Sequence, residues 1–270
     1  MNAPRSNERH LYSASAAHRQ LPYTVRFEWG HDGATTVAPG ADLAVVVDVL
    51  SFSTCVSVAL DRGAEVIPYP WKDTSAEDFA AHHDAHLAGP RDGGGLSLSP
   101  ASLREAESLG RVVLPSPNGS TLCHGLAGEV ALVAATCLRN AAATAEWIAE
   151  NLPADAVIAV IAAGEQWPDG TLRPAIEDQV GAGAFIAALA AARGAGLDGD
   201  AGYWQGFAPE AVAAAALFDA VEPNLREFLQ GCSSGRELIG AGFADDVDIA
   251  AELDDSDAVA ILAGGVFSPR

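Results

Sequence analysis

The sequence contains a single lysine, Lys72, and few basic residues of any kind. Its 15 Lys and Arg residues stand against 36 Asp and Glu residues, which gives a formal net charge of −21. Nucleic-acid binding depends on basic side chains that neutralise phosphates, and docking on an anionic membrane surface depends on basic clusters. The composition therefore argues against a nucleic-acid partner and against a membrane partner.

Long hydrophobic runs are also missing. The apolar stretches at 184–192 and 211–218 are Ala-rich and too short to cross a bilayer. The N-terminus has no continuous hydrophobic region followed by a small-residue cleavage site, so we expect no signal peptide. The cysteines form no C-x-x-C pair, which favours reduced, buried thiols in a cytoplasmic protein; they are Cys55, Cys123, Cys137 and Cys232.

Hydrophobic residues make up 49 % of the chain, enough for a folded core. Residues 1–20 lack periodicity and are rich in Ser, Ala and Asn, so we predict a loosely ordered tail there. The remainder shows no internal repeat and no linker. We therefore predict one α/β domain over residues 21–270.

From residue 21 onward, short apolar runs alternate with helical patterns. The runs predict strands at 23–29, 43–49, 65–69, 111–115, 129–135 and 156–162. The helical patterns fall at 53–62, 74–88, 120–127, 140–151 and 177–193. This order is typical of βα units around a mainly parallel sheet, with a mixed sheet as the alternative. The C-terminal third is helix-rich, mainly helical over 209–254, with a last strand at 258–262.

Polar side chains follow four of these strands. Asp48 ends the apolar run at 43–49, and the segments 116–121, 136–140 and 163–178 follow later strands. In open α/β sheets, ligands bind at the carboxyl ends of the strands. We therefore expect these segments to converge on one crevice.

Asp48 is the strongest single candidate. A carboxylate at the end of a buried strand is unfavourable unless it is paired, hydrogen-bonded or bound to a metal. We interpret it as a Mg²⁺ ligand or, as a second choice, a nucleophile. The alternative is a helix-capping aspartate, which we rank lower because Ser51 and Ser53 could cap the following helix.

Glu177 and Asp178 open a predicted long helix. Acidic residues there often interact only with the helix dipole. A carboxylate from this pair near Asp48 would complete an oxygen site for Mg²⁺, which takes one or two carboxylates plus water and substrate phosphate. We therefore predict that Asp48 and one of these two residues share a cleft.

Three further groups are candidates for binding an anion. Ser53 and Thr54 open a helix whose free N–H groups suit a phosphate, although they could be plain capping residues. The turn Asn118–Thr121 has a glycine that would let backbone N–H groups approach a phosphate, although N-G is also a common turn signal. The guanidinium group of arginine can bind a phosphate through two parallel hydrogen bonds, although arginines also form ordinary surface ion pairs. The candidates of this kind are Arg91, Arg139 and Arg173.

Other motifs for phosphate or acyl chemistry are missing. There is no G-x-x-x-x-G-K-[ST] phosphate loop and no G-x-S-x-G elbow. His82 and His86 would share a helix face without the glutamate of an H-E-x-x-H zinc motif, so a solvated helix face is the better interpretation.

Six segments, taken in order, resemble the 2-phosphosulfolactate phosphatase (ComB-like) family. They are VVVDVLSFSTCVSVALDRGAEVIPYP, GPRDGGGLSLSPASL, LPSPNGSTL, ATCLRNAAATA, AAGE with EDQVGAGAFIAAL, and SSGRELIGAGFADDVDIAAELD. The similarity covers most of the chain. It implies a three-layer α/β/α fold and a Mg²⁺-dependent phosphatase that converts 2-phospho-3-sulfolactate to 3-sulfolactate.

The resemblance extends to individual residues. It implies catalytic roles for Asp48, Glu177 and Asp178, with Asp48 and Asp178 as metal ligands. For a small anionic phosphate ester, the resemblance and the strand-end pattern together predict a binding set of Ser53, Thr54, Arg91, Asn118, Gly119, Ser120, Thr121, Arg139 and Asn140. The sequence departs from the family pattern where arginine, glutamate and asparagine are usual, at Ser51, Pro90 and Leu98.

These departures keep two alternatives open. One is a member that binds anions but is catalytically weak or inactive, and another is a phosphatase with a different substrate. A haloacid-dehalogenase-type phosphatase is disfavoured, because it needs a D-x-D pair and position 50 is Leu. As a partner beyond the small substrate, we expect at most a second copy of the chain in a homodimer.

Overall fold

The computed structural model describes residues 17–70, 75–194 and 204–269. Its strands are β1 (Val25–Trp29), β2 (Leu43–Val47), β3 (Glu65–Tyr69), β4 (His86–Leu87), β5 (Arg111–Pro115), β6 (Leu132–Thr136), β7 (Ile158–Ala162), β8 (Glu165–Gln166), β9 (Leu172–Arg173), β10 (Ala260–Ala263) and β11 (Val266–Phe267).

The helices in the described ranges follow the strands closely in sequence. They are α1 (Gly30–Val37), α2 (Phe52–Asp61), α3 (Ser75–His82), α4 (Pro100–Glu105), α5 (Gly119–Leu126), α6 (Ala141–Asn151), α7 (Ile176–Ala192), α8 (Pro209–Val221), α9 (Leu225–Gly231), α10 (Ser233–Gly240) and α11 (Ala244–Ala250). The predicted helix-rich C-terminal third is present as α8–α11.

The main sheet has the strand order β1-β7-β2-β6-β10-β11-β3-β5-β4. Strands β1, β7, β2 and β6 are parallel neighbours, and so are β3, β5 and β4. Between the two groups, β10 and β11 pair antiparallel to each other and to their outer neighbours β6 and β3. The prediction of a mainly parallel sheet is confirmed, and the sheet is mixed.

Strand β2 shows why the molecule has three layers. All five of its residues are buried, and successive side chains of a strand point to opposite faces. Leu43, Val45 and Val47 pack into a core with α6, α7 and α8, whereas Ala44 and Val46 pack into a second core with α2 and α5. Helices therefore cover both faces of the sheet, as a three-layer α/β/α fold requires.

Glycines let helix α7 lie very close to its neighbours. A Cβ on Gly181 would come within 2.5 Å of the Val49 side chain, and one on Gly183 within 2.1 Å of the Ala214 carbonyl oxygen. Small residues at these positions allow α7 to approach the end of β2 on one side and α8 on the other. This packing holds the first turn of α7, with Glu177 and Asp178, against the end of β2.

Several predicted elements differ from the structure. The pattern at 74–88 gives a shorter helix, α3, followed by β4. The segment 89–102, for which no helix was predicted, contains a 3₁₀ turn at Arg91–Gly93 and the start of α4. The small hairpin β8–β9 and strand β11 were not predicted. Each of these strands has two residues, too few to show a periodic pattern.

The predicted tail lies largely outside the described residues, which begin at residue 17. At its end, Gln20 is buried: its side chain donates to the Phe27 carbonyl at 2.8 Å and accepts from the Phe27 N–H at 3.0 Å. The division into a tail and one domain stays a prediction. No helix in the described ranges is long and apolar enough to cross a membrane.

Candidate active site

Asp48 lies directly after β2 and connects two helices. Its Oδ1 accepts the N–H of Phe52 at 3.0 Å, and its Oδ2 accepts the N–H of Gly119 at 2.8 Å. Ser51, the N-cap residue of α2, makes no capping bond through its side chain. The argument that a serine would free Asp48 from capping was therefore wrong, because Asp48 itself satisfies the first turns of α2 and α5.

Asp178 binds two strand ends in the same way. Its Oδ1 accepts the N–H of Val49 after β2 at 2.8 Å, and its Oδ2 accepts the N–H of Gly164 after β7 at 2.8 Å. The side chain is buried. Asp178 thus ties the N-terminus of α7 to the carboxyl ends of two neighbouring parallel strands.

Glu177 completes a group of buried carboxylates with Asp48 and Asp178. Burial raises the pKa of Asp48 and, well above its usual range, that of Asp178, and the negative charge of Glu177 raises the pKa of both further. Glu177 itself is 2 % exposed, and its Oε2 has no hydrogen-bond partner among the described residues. A buried acceptor without a donor is unfavourable unless a bound group satisfies it.

A cavity of about 250 Å³ is lined by neighbours of the two glycines that bind these carboxylates. Asn118 precedes Gly119, whose N–H binds Asp48, and Glu165 follows Gly164, whose N–H binds Asp178. Its wall includes Trp29, His31, Asn118, Thr121, Glu165 and Leu172. Asn118 donates through Nδ2 to Glu165 Oε2 at 3.0 Å. The sequence analysis gave Glu165 no role, although its position immediately after the end of a strand was a usable signal.

The pKa of Glu165 is raised to about 6. Burial is the largest cause, and the negative charge of Asp48 adds to it, whereas the hydrogen bond from Asn118 and the positive charge of Arg173 act in the opposite direction. Electrostatically, Glu165 therefore belongs to the same group of carboxylates, which we call the carboxylate cluster: Asp48, Glu165, Glu177 and Asp178.

Two arginines lie at this cluster. Arg91 donates through Nη2 to Ser51 Oγ at 2.8 Å and lies 3.4 Å from Asp246 through Nε, and its charge lowers the pKa of Asp48. Arg173 donates through Nη2 to Ser234 Oγ at 3.2 Å. The charge of Arg91 acts on Asp48 and that of Arg173 acts on Glu165, so the acidic cluster has guanidinium groups that suit an anionic ligand.

The structure does not bring Arg139 or Asn140 to this place. Arg139 is buried and pairs with carboxylates of Asp61, Glu252 and Asp255. Asn140 accepts from the Cys137 N–H and donates to the Ala258 carbonyl. Both residues join β6 to the C-terminal segment, so we remove them from the predicted anion site.

The predicted hydroxyl donors are engaged inside the fold. The hydroxyl groups of Ser53, Thr54 and Ser120 donate to the carbonyls of Val46, Val49 and Leu114. Thr121 lines the cavity, but its hydroxyl donates to the Ser116 carbonyl at 3.1 Å. Such bonds satisfy strand ends and helix starts, so these hydroxyls act in the fold rather than as phosphate donors.

Gly119 permits a close approach, as predicted, but toward protein atoms. A Cβ at this position would lie 2.3 Å from a ring carbon of Phe52 and 2.7 Å from Asp48 Oδ2. The glycine therefore lets the start of α5 contact Asp48 and Phe52 directly.

The carboxylates of the cluster are compatible with a Mg²⁺ ion that has one or two protein ligands and water at its other positions. Within the part of the chain that the structure describes, no three His, Cys, Asp or Glu side chains lie close enough to share one metal ion. Mg²⁺ usually binds one or two carboxylates and keeps several waters. The unpartnered Glu177 Oε2, in a group of carboxylates whose charges act on one another, matches this requirement.

Known proteins resemble this chain over most of its length. The model of the 2-phosphosulpholactate phosphatase family matches residues 34–265. A protein of Gloeobacter violaceus named "probable 2-phosphosulfolactate phosphatase" is 30 % identical over 222 residues, which cover 79 % of this chain and 85 % of the relative. A protein of Thermotoga maritima with the same name is 28 % identical over 231 residues, 83 % of this chain and 90 % of the relative. The chain therefore belongs to the 2-phosphosulpholactate phosphatase family.

Proposed function

We propose that this protein is a Mg²⁺-dependent phosphatase that hydrolyses 2-phosphosulfolactate or a related 2-phospho acid. The family membership supports the reaction. The observation that carries the proposal for this chain is the unpartnered, buried oxygen of Glu177 in a carboxylate cluster that two arginines flank. An acidic site with adjacent guanidinium groups suits a cation and a phosphate together.

Glu177 and Asp48 are the residues that would hold the ion. Both oxygens of Asp48 and of Asp178 accept backbone N–H groups. The positive charge of Arg91 acts on Asp48, whereas Asp178 joins the ends of β2 and β7. We therefore keep Asp48 as a ligand and assign Asp178 mainly to positioning these strand ends. When bound, Mg²⁺ would neutralise charge on the phosphoryl oxygens and orient a water molecule.

The arginines fit the other charges of the substrate. A 2-phospho acid carries a phosphoryl group and at least one further anionic group close to it. Arg91 lies on the side of Asp48, where Asn118 also lines the cavity, so we assign these two residues to the phosphoryl group. Arg173 lies on the hairpin β8–β9 and suits the second anionic group.

The test is phosphate release by the purified full chain from 2-phosphosulfolactate, 2-phospholactate and p-nitrophenyl phosphate. Each is measured with MgCl₂ and with EDTA, and Glu177→Gln is the matched variant. We expect release that depends on Mg²⁺ and is lost in Glu177→Gln. Release that EDTA leaves unchanged would reject the metal requirement.

The same experiment separates the catalytically inactive alternative. This alternative is favoured by Ser51, which occupies a position where the family usually has arginine and accepts a hydrogen bond from Arg91. Binding of inorganic phosphate, measured by calorimetry, with no turnover of any ester would identify an anion-binding protein and reject the phosphatase.

A further inference from the structure

We propose that Glu165 is the general acid that protonates the alcohol oxygen as it leaves the phosphoryl group. This inference rests on the proposed function, since it concerns a step of the same hydrolysis. The alcohol of a 2-hydroxy acid is a poor leaving group, because it departs as a strongly basic alkoxide unless it receives a proton. A positioned acid typically accelerates such a step by about 10²–10⁴-fold.

Glu165 is placed where a substrate would meet it. Of the four members of the carboxylate cluster, it is the one that lines the cavity. It lies at the start of β8, shortly after the end of β7 and directly after Gly164, whose N–H binds Asp178. A residue in this position can reach both the cavity and the place where the phosphoryl group would bind.

One oxygen of Glu165 has a fixed partner. Asn118 Nδ2 donates to Oε2 at 3.0 Å, and Asn118 lines the same cavity. A bond to one oxygen orients the carboxyl group and leaves Oε1 as the oxygen to carry a proton. By contrast, both oxygens of Asp48 and of Asp178 accept backbone N–H groups.

The surroundings raise the pKa of this carboxyl group above its ordinary value. Burial is the largest cause, and burial acts whether or not a cation neutralises Asp48 and Glu177. The hydrogen bond from Asn118 and the positive charge of Arg173 act in the opposite direction. His31 and Asp32 on α1 line the same cavity. A carboxyl with this pKa is a far better proton donor near neutral pH than a surface glutamate.

The proposed step conserves protons and electron pairs. Water attacks phosphorus, the bond between phosphorus and the alcohol oxygen breaks, and its electron pair stays on that oxygen. The oxygen takes the proton of Glu165 and leaves as the alcohol. One proton of the attacking water stays on the phosphate product, and the other returns to the Glu165 carboxylate for the next turnover.

The test compares two esters that differ in their need for a proton. 2-Phospholactate releases a basic alkoxide, whereas p-nitrophenyl phosphate releases a stable phenolate that needs no acid. In Glu165→Gln we expect kcat/KM for 2-phospholactate to fall by about 100-fold or more, with a change of under about fivefold for p-nitrophenyl phosphate. The ratio of the two values is measured in one sample, so it does not depend on the fraction of folded protein.

Two variants complete the experiment. Asp32→Asn makes the same carboxyl-to-amide substitution in the wall of the same cavity and is expected to leave the ratio near the wild-type value. Glu165→Asp keeps an acid and is expected to have a ratio closer to wild type than Glu165→Gln. If Glu165→Gln lowers kcat/KM by the same factor for both esters, or changes neither, the ratio stays at the wild-type value. This result overturns the general-acid role while the phosphatase itself stands. Wild-type protein that hydrolyses neither ester overturns the proposed function and this inference with it.

Discussion

Asp48 accepts the first N–H groups of two helices and is also one of the two residues proposed to hold Mg²⁺. Asparagine in its place keeps the size but replaces one carboxylate oxygen with an NH₂ group, which would face the N–H of Phe52 or Gly119. A buried N–H that loses its acceptor destabilises a protein by about 1–3 kcal/mol, and relief of the buried charge offsets part of this loss. We expect Asp48→Asn to abolish phosphate release and also to lower the free energy of unfolding, measured with urea.

Asp42→Asn is the matched control for this prediction. Asp42 is exposed and accepts a single backbone N–H, from Val157. Asparagine can keep this bond through its remaining oxygen, so we expect a change in stability of less than about 1 kcal/mol. Full stability of Asp48→Asn together with lost activity would mean that the two helix starts do not depend on the carboxylate.

Residue types predicted which carboxylates come together better than they predicted the contacts of the hydroxyl groups. Asp48, Glu177 and Asp178 were identified because carboxylates next to an apolar strand and at a helix start need a reason to be there. The hydroxyls of Ser53, Thr54 and Ser120 follow the same strand ends but donate to nearby carbonyls. Sequence alone does not show whether such a hydroxyl donates to a nearby carbonyl or to a ligand, because both compete for the same hydrogen.

At the scale of elements, the first turn of α5 depends on Gly119. The Cβ of an alanine there would overlap the ring of Phe52 and Asp48 Oδ2, and overpacking of a core typically destabilises by about 1–3 kcal/mol. Gly125 lies in the same helix, and a Cβ added to it would meet no atom within 4 Å. We therefore expect Gly119→Ala to lower the midpoint of thermal unfolding and phosphate release, and Gly125→Ala to raise the midpoint slightly.

A second pair of variants separates Gly119 from its neighbour Ser120. We expect Gly119→Val to weaken phosphate binding more than Ser120→Ala, because a β-branched side chain would displace Asp48 and Phe52, whereas the Ser120 hydroxyl only donates to the Leu114 carbonyl. Native stability of Gly119→Ala would show that α5 can move away from α2 without loss.

Strands with a continuous apolar run of about five residues were predicted well. Two-residue strands and pairings between strands far apart in sequence were not. The run at 65–69 matches β3, and the run at 111–115 matches β5, residue for residue. The insertion of β10 and β11 between two parallel groups could not be predicted, because it depends on contacts between segments more than 100 residues apart. The hydrogen bond between Asn118 and Glu165 was not predicted for a related reason, because these two residues lie far apart in sequence.

At the scale of the whole molecule, the fold gathers negative charge in a protein that already carries −21. The raised pKa values of Asp48, Asp178 and Glu165 mean that the folded state holds these protons more tightly than the unfolded state does. Their contribution to the free energy of unfolding is therefore fully present at low pH and is lost as the pH rises through the pKa of the folded state. For Glu165 the loss begins near the ordinary pKa of 4.5 and is complete above the folded-state pKa of about 6.

A bound cation should reverse this trend. Protons compete with Mg²⁺ for the same carboxylates, so the stabilisation by Mg²⁺ should be small at pH 5 and large at pH 8. At a hundredfold excess over its dissociation constant, a ligand that binds only the folded state adds about 2.7 kcal/mol to the free energy of unfolding, or several degrees to the midpoint of thermal unfolding.

The measurement is thermal unfolding at both pH values with MgCl₂ or with NaCl of equal ionic strength. Screening of the overall charge would act equally in wild type and in Glu177→Gln, so a Mg²⁺ shift that persists in this variant contradicts a site at Glu177. A shift confined to wild type at pH 8 supports it, because protons compete less with Mg²⁺ at that pH than at pH 5 and only wild type has the Glu177 carboxylate.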